Sequence, residues 1–462
     1  MADQRGVDAV LVGAGFAGLY LLHRLRGLGL STQVFEAGDG VGGTWYWNRY
    51  PGARCDVESL EYSYGFSEEL QQEWEWSERY ATQPEILSYL EHVADRFDLR
   101  RDVEFGTRVV AAAFDDRDGR WTVRTDRGDE CRAQFFVTAT GCLSSTNIPD
   151  FDGRDSFQGE TYHTGKWPHV GVDFHGRRVG VIGTGSSAIQ SIPIIAEQAD
   201  ELVVFQRTAS YAVPAHNRVL DPAEQAAIKS DYAGLRQRNR QSMVAFGSRT
   251  PGNESSAMAA APGEREREFD ARWERGGLQF LGAFGDLLFD SSANELAADY
   301  VRAKIRDIVD APDVAALLSP TTVIGCKRLC VATGYYATFN RPNVHLVDVS
   351  DNAIERITPD GLRAGGVDFA LDAIVFATGF DAMTGPLLAI DVKGKDGTTL
   401  HDAWQTGPRT YLGLSVAGFP NLFIITGPGS PSVLTNMVAS IEHHVEFIAD
   451  CILYSRLHGY DR

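Results

Sequence analysis

Two glycine-rich strand–turn–helix units and a long helical stretch predict an α/β protein with two Rossmann-like dinucleotide-binding domains, the second carrying a helical insertion. The first unit is DAVLVGAGFAGLYLLHRL, an apolar run that reads as a buried strand, then a glycine turn, then a helix. Gly13, Gly15 and Gly18 stand at GxGxxG spacing, with Phe16 and Ala17 between the last two. The first glycine makes the tight turn, the second lets backbone approach a pyrophosphate, and the third lets helix and strand pack closely. The second unit, RRVGVIGTGSSAIQSI, places Gly183, Thr184 and Gly185 in the same pattern. Its third position is Ala188, which is tolerated because that site governs only packing. From 221 to 318 the period turns helical, with Leu296, Val301, Ile305 and Ile308 on one face of ANELAADYVRAKIRDIVDAP.

The strand ends that follow the two turns differ in chemistry. TQVFEAG ends its strand at Glu36, whose carboxylate can accept hydrogen bonds from a ribose diol, and this suits FAD. In LVVFQRTAS the matching position is Gln206, followed by Arg207 and Thr208. A carboxylate would repel a ribose 2′-phosphate, whereas Arg207 can grip one with a forked pair of charge-assisted bonds. The second site therefore suits NADPH over NADH. Two more strands, FFVTATG and DAIVFATGF, finish in ATG and mark where the chain leaves one nucleotide domain and later returns to it. The organisation expected is a first part of the FAD domain over 1–145 and a connector over 146–170. An NADPH domain follows over 171–220 and 319–370, interrupted by the insertion at 221–318, and the FAD domain resumes over 371–462.

Bulk properties remove several function classes. The chain has 462 residues, 44% hydrophobic and 23% charged, enough for two or three ordinary cores. Its formal charge of −19 argues against a nucleic-acid partner. Cys55, Cys131, Cys142, Cys326, Cys330 and Cys451 form no CxxC pair and no zinc spacing with histidine. They read as reduced thiols of a cytoplasmic protein without a metal site, and the chain lacks the redox cysteine pair of a disulfide reductase. VDAVLVGAGFAGLYLL imitates a signal-peptide core but contains Asp8 and the glycine turn. No apolar run is long enough to span a membrane. Oligomeric state is not set by these features.

The connector carries a motif that neither domain explains. In FQGETYHTGKWP, residues Phe157, Gly159, His163, Trp167 and Pro168 fit FxGxxxHxxxWP, and GGTWYWNRYPGARCD fits GGxWxxxxYPGxxxD. Both patterns closely resemble those of type I Baeyer–Villiger monooxygenases, and the resemblance runs almost the length of the chain. It implies a flavoprotein that uses NADPH and dioxygen to insert one oxygen beside a ketone carbonyl, through a flavin peroxide, giving an ester or lactone. The relatives that oxidise nitrogen or sulfur typically lack the Trp-Pro ending.

The resemblance also implies residue roles. Arg328, in VIGCKRLCVATGYYATFNRPNV, corresponds to the active-site arginine, and Asp56 would hold it in place. Lys327 would be a second contact to the 2′-phosphate. Gly43, Thr44, Trp45, Asp56, Tyr62, Val109 and Met437 would contact FAD. Ser186, Ser187 and Gln190 would line the NADPH phosphates, with Arg54 near the nicotinamide. His163 would couple movement of the two domains rather than perform chemistry, with Trp167 packing the hinge. GPGSPSVLTNM looks like the branch containing phenylacetone and steroid monooxygenases, so Leu143, Ser432, Val433 and Leu434 would border the substrate. Val323 and Cys142 depart from the family pattern. Relatives continue for several dozen residues past the position of Arg462, including a loop that covers the nicotinamide, so this chain is expected to oxygenate with poor coupling. Two alternatives stay open: S- or N-oxygenation, and an oxidase releasing hydrogen peroxide.

Arg207→Ala is expected to erase most of the preference for NADPH. Losing one charged contact to phosphate costs roughly 1.5–3 kcal/mol, about one to two powers of ten in affinity. Titrating both cofactors checks this, and equal losses with NADH and NADPH would contradict the assignment.

Overall fold

The computed structural model describes residues 5–462, apart from the side chains of Arg5 and Ser432. Its first glycine turn opens an eight-stranded sheet. The order across it is Asp391–Lys393, Val109–Asp115, Arg120–Thr125, Glu130–Thr138, Arg5–Val12, Thr32–Phe35 and Val103–Glu104, and Leu422–Ile424 also pairs with Glu130–Thr138. Arg5–Val12 runs parallel to both of its neighbours, and its Val10 and Leu11 are fully buried. A near-continuous apolar run is what a parallel strand covered on both faces requires. Glu130–Thr138 serves two partners along its other edge. Its start pairs antiparallel with Arg120–Thr125, and its end pairs parallel with Leu422–Ile424, which brings the C-terminal part of the chain back to this sheet.

The second glycine turn belongs to a five-stranded sheet ordered Val344–Asp348, Glu201–Gln206, Arg178–Ile182, Ala373–Phe376 and Glu160–His163, with parallel pairing throughout. The two turns are built alike. Gly13 N–H donates to Phe35 O at 2.8 Å, and Gly183 N–H donates to Phe205 O at 3.0 Å. That places Glu36 and Gln206 at the same point after their strands. Each turn also closes on an ATG carbonyl: a Cβ on Gly13 would lie 2.6 Å from Ala139 O, and one on Gly183 would lie 2.6 Å from Ala377 O.

Two domain assignments made from the sequence need correction, and the connector adds an edge strand. Within the connector, Glu160–His163 forms the sheet edge, with only His163 buried. An edge strand pairs its backbone on one side, so it needs no apolar run. Ala373–Phe376 was assigned to the returning first domain, with a boundary after 370. It instead lies inside the second sheet, and the chain crosses back only after its ATG. Four consecutive buried residues announce an internal strand but not the sheet it joins. The insertion at 221–318 was assigned to the second domain alone, but it straddles both. Tyr232 and Leu235 join the core of the first domain, while Phe269, Phe280, Val301 and Ile305 join that of the second. Tyr232 Oη donates to Leu60 O at 2.5 Å, and Lys229 Nζ donates to the carbonyls of Gln72 and Trp74 at 3.0 and 2.6 Å.

The domains meet where the YPG turn touches the helix Ser186–Gln198. Tyr50 Oη donates to Gln190 Oε1 at 2.8 Å, and Gln190 Nε2 donates to Arg54 O at 3.1 Å. Gly52 has φ +80°, and a Cβ there would lie 2.3 Å from Gln190 O. Gly52→Ala should therefore cost roughly 1–3 kcal/mol of stability through left-handed backbone strain, with the lost approach adding to it. Denaturant unfolding measures the change, and an unaltered midpoint would contradict this account of the joint.

Candidate active site

The cradle in the first domain is built from helix and turn backbone. Helix Phe16–Gly27 starts at Gly15 with no side-chain cap and no acid in its first turn. Its leading N–H groups and the positive end of its dipole are thus left for an anion. Gly15 faces Gly43, where a Cβ on Gly15 would come within 3.2 Å of Gly43 Cα. Gly43 caps the short helix Thr44–Trp47 with φ +54°, leaving Thr44 exposed. Trp45 Nε1 donates to Tyr62 Oη at 3.2 Å, and the Phe16 ring packs edge-on against Tyr62. Ala17 is buried in the same helix. Glu36 is buried; its Oε2 accepts from Ala14 N at 2.7 Å and its Oε1 from Gly38 N at 2.8 Å. Burial pushes this carboxyl above its ordinary range, and the two N–H donors work against that rise. Val109 is buried at the start of its strand, close in sequence to Thr107, whose N–H donates to Glu36 O at 2.9 Å. Met437 opens the helix Met437–Leu457, capped by Asn436 Oδ1 on Val438 N at 3.1 Å.

The second cradle repeats the arrangement. Helix Ser186–Gln198 starts at Gly185, again with no side-chain cap and no acid in its first turn. A Cβ on Gly185 would meet nothing within 4 Å, so the turn opens onto free space. Thr184 Oγ1 donates to Thr208 O at 2.8 Å, holding the end of the next strand against this turn. Arg207, Thr208 and Lys327 are exposed. Gln206 is buried and turned away, its Nε2 donating to Leu317 O at 2.7 Å. Ser187 Oγ donates to Thr164 Oγ1 at 3.1 Å, next to His163. The Gln190 amide is engaged in the interdomain joint, and Arg54 Nη1 donates to Glu78 Oε2 at 3.0 Å. Two uncapped helix N-termini beside glycine turns, one with a buried carboxylate and one with exposed cations, fit two dinucleotides of different charge.

Arg328 joins segments from across the chain. Its Nε donates to Asp56 Oδ2 at 2.6 Å and its Nη2 to Asp56 Oδ1 at 2.9 Å, a two-pronged pair that fixes the guanidinium plane. Its Nη1 donates to the carbonyl of Val433, in the turn Ser432–Leu434, and the Phe246 ring centre lies 6.0 Å from Cζ. Burial works against the cation, but the hydrogen bonds and charge of Asp56 more than offset it, so the guanidinium is held above its ordinary range. Leu143 and Val433 are half-buried and Leu434 is exposed; the side chain of Ser432 lies outside the described residues.

His163 ends the edge strand and Trp167 follows it after the turn Thr164–Lys166. His163 Nδ1 accepts from Gly165 N at 2.9 Å, its Nε2 faces Thr378 Oγ1 at 3.5 Å, and burial lowers its proton affinity. Trp167 packs between Tyr162 and Phe174. Sequence reasoning missed the neighbours of Asp56. Glu58 Oε1 accepts from Arg79 Nε and Nη2 at 3.0 and 2.8 Å, and its Oε2 accepts from Arg249. These side chains come from unrelated segments without a motif, so no local spacing could have flagged them.

Fold and site together define a flavoprotein oxidoreductase with separate FAD and NADPH domains. Residues 10–236 match the family model for pyridine nucleotide-disulphide oxidoreductases. The chain is 45% identical over 449 residues to a Baeyer-Villiger monooxygenase of Pseudooceanicola batsensis, spanning 96% of this chain and 81% of that protein. It is 43% identical to a phenazine N-monooxygenase of Lysobacter antibioticus, spanning 97% of this chain and 83% of that protein. Among solved structures, an oxidized steroid monooxygenase bound to NADP matches with a TM-score of 0.95 and 55% identity, over 99% of this chain and 87% of that one. The chain belongs to the Baeyer–Villiger monooxygenase family, enzymes that use FAD and NADPH. Among the described residues, no helix is long and apolar enough to cross a membrane.

Asp56→Ala should leave the Arg328 guanidinium half-buried without its charged partner. A stability loss of roughly 1.5–3 kcal/mol is expected, measured by denaturant unfolding at constant FAD. A loss below about 0.5 kcal/mol would show that the pair is only a surface contact.

Proposed function

We propose that this chain oxygenates an apolar ketone to an ester or lactone, with Arg328 as the cation that stabilises the negative charge developing beside the carbonyl. Over the cycle the ketone gains one oxygen of dioxygen, the other leaves as water, and NADPH and a proton are consumed. Bound FAD supplies hydride acceptance and the activation of dioxygen. The observation that carries the role of Arg328 is its two-pronged pair with Asp56, inside a site bordered by Val433 and Phe246. A guanidinium does not give up its proton at working pH, so it can neutralise an anion without quenching it. Preorganised charge of this kind acts when charge appears, with no reorganisation needed.

Around that centre, Gly13, Gly15 and the N-terminus of Phe16–Gly27 would hold the FAD pyrophosphate, and Glu36 its ribose. Ser186, Ser187 and the N-terminus of their helix would hold the NADPH phosphates, with Arg207, Thr208 and Lys327 around the 2′-phosphate. The proximity of His163 to Thr378 and of Ser187 to Thr164 supports a coupling role for the connector, since both contacts join it to the cradle of the second domain. Leu143, Val433 and Leu434 would form apolar walls for the ketone, and reduced thiols support a cytoplasmic setting.

A second reading, N-oxygenation, is favoured by the likeness to a phenazine N-monooxygenase. Offering a ketone panel and a phenazine in competition separates the two, with ester or N-oxide read by mass spectrometry. Arg328→Ala should keep FAD bound yet lower ester formation at least about 100-fold, the scale set by removing one preorganised donor. Ester formation within threefold of the parent would overturn this role.

A further inference from the structure

Behind the Asp56 carboxylate, the loop 56–61, the turn 246–250 and the segment 275–279 border a cavity of about 20 Å³. A water needs about 10–15 Å³ and two to four polar partners. The walls supply them from Asp56, Glu61, Thr250 and Gln279. Glu61 is 2% exposed; its Oε2 accepts from Gly247 N at 2.9 Å, while its Oε1 is buried with no hydrogen-bond partner. Thr250 Oγ1 is buried and equally unpartnered. Such orphaned polar atoms beside a water-sized space are what an ordered water satisfies.

The charges around Glu61 are accounted for on every side. Glu58 is occupied by Arg79 and Arg249, Asp56 by Arg328, and Arg275 lines the far wall. The Asn239 amide faces the Glu61 carboxyl but does not meet it in hydrogen-bonding geometry. Among the described residues no cation forms an ion pair with Glu61, and the Arg249 charge reaches it only from its pairing with Glu58. Burial first, and then the Glu58 carboxylate, favour its neutral form and outweigh the Gly247 N–H, the Arg249 charge and the Asn239 amide, which favour the ionised one. The backbone position is anchored as well, because Glu61 O accepts from Asn436 Nδ2 at 2.8 Å and from Arg236 Nη1 at 2.9 Å.

We propose that this cavity is a water site that links the Glu61 carboxyl to Asp56, so that Glu61 sets how much negative charge stands behind Arg328. The inference rests on reading Arg328 as the cation of the site. Neutral Glu61 donates to the water and the water donates to Asp56, leaving one carboxylate against one guanidinium. Ionised Glu61 adds a second carboxylate and weakens the pull of Arg328 on an anion. Glu61 is thus a positioning residue, acting through Asp56.

The test compares the FAD-loaded enzyme with Glu61→Gln. A high-resolution crystal structure of the parent should show one water between residue 61 and Asp56. Infrared difference spectra across a pH titration should show a protonated-carboxyl band that the Gln variant lacks. The folded state holds this proton to higher pH than the unfolded chain does. Stability should therefore fall as pH rises from the ordinary glutamate range through the raised one, less steeply in Glu61→Gln. Ester formation should decline over the same window in the parent alone. Thr250→Val, which removes the other orphaned partner, should disorder the water while keeping the band. A dry cavity, or a band and stability slope unchanged by Glu61→Gln, overturns the proposal. The water, the band and the slope are read without substrate, so a parent that makes no ester at any pH would sink the functional reading and leave these three results to decide the water site.

Discussion

The bidentate pair between Asp56 and Arg328 is the constraint on which the rest of the site depends. It bridges 272 residues of sequence and joins the motif turn of the first domain to the segment just before Cys330–Ala332. The remaining guanidinium nitrogen holds the Val433 carbonyl, 105 residues further on. One planar cation thereby fixes the relative positions of three segments that would otherwise be independent loops. Arginine suits this task because its donors lie in one rigid fork and its charge is permanent. Lysine could supply charge but not the plane.

The pair works within a second set of contacts that hold the domains in register. Tyr50 and Arg54 meet Gln190 on one side of Asp56, and on the other Glu58 gathers Arg79 and Arg249. Arg79 in turn reaches the carbonyls of Ala215 and Arg275 at 3.3 and 2.7 Å. The short loop from Tyr50 to Glu61 therefore touches the helix Ser186–Gln198, the insertion and Arg328. This explains in physical terms why one sequence pattern spans residues of such different chemistry: its glycines permit close approach, its tyrosine and arginine reach the neighbouring domain, and its aspartate holds the cation.

Much of this was legible in the sequence where local geometry dictates residue type. The glycine turns could be read because positive φ and close packing leave little choice at Gly13 and Gly183, and the contrast between Glu36 and Gln206 could be read because the two turns share a register. Illegible were features set by contacts between distant segments. Nothing in AIVF says that it joins the second sheet, because any doubly covered strand reads the same. The polar ETYH hid an edge strand, since backbone pairing leaves no mark on side chains. Periodicity located the helices of the insertion but not the two cores they divide between. Glu58 and Glu61 carry no local signal of burial, because Arg249 and Gly247 reach them from a distant turn.

The most direct measurement of the central claim is a double-mutant cycle on Asp56 and Arg328, scored as ester formed per NADPH consumed with FAD bound throughout. If Asp56 acts by holding Arg328, removing both should cost no more than removing Arg328 alone, because the two act as one unit. Losses that simply add would mean the two residues contribute independently, and the account of Asp56 as the holder of the cation would be contradicted.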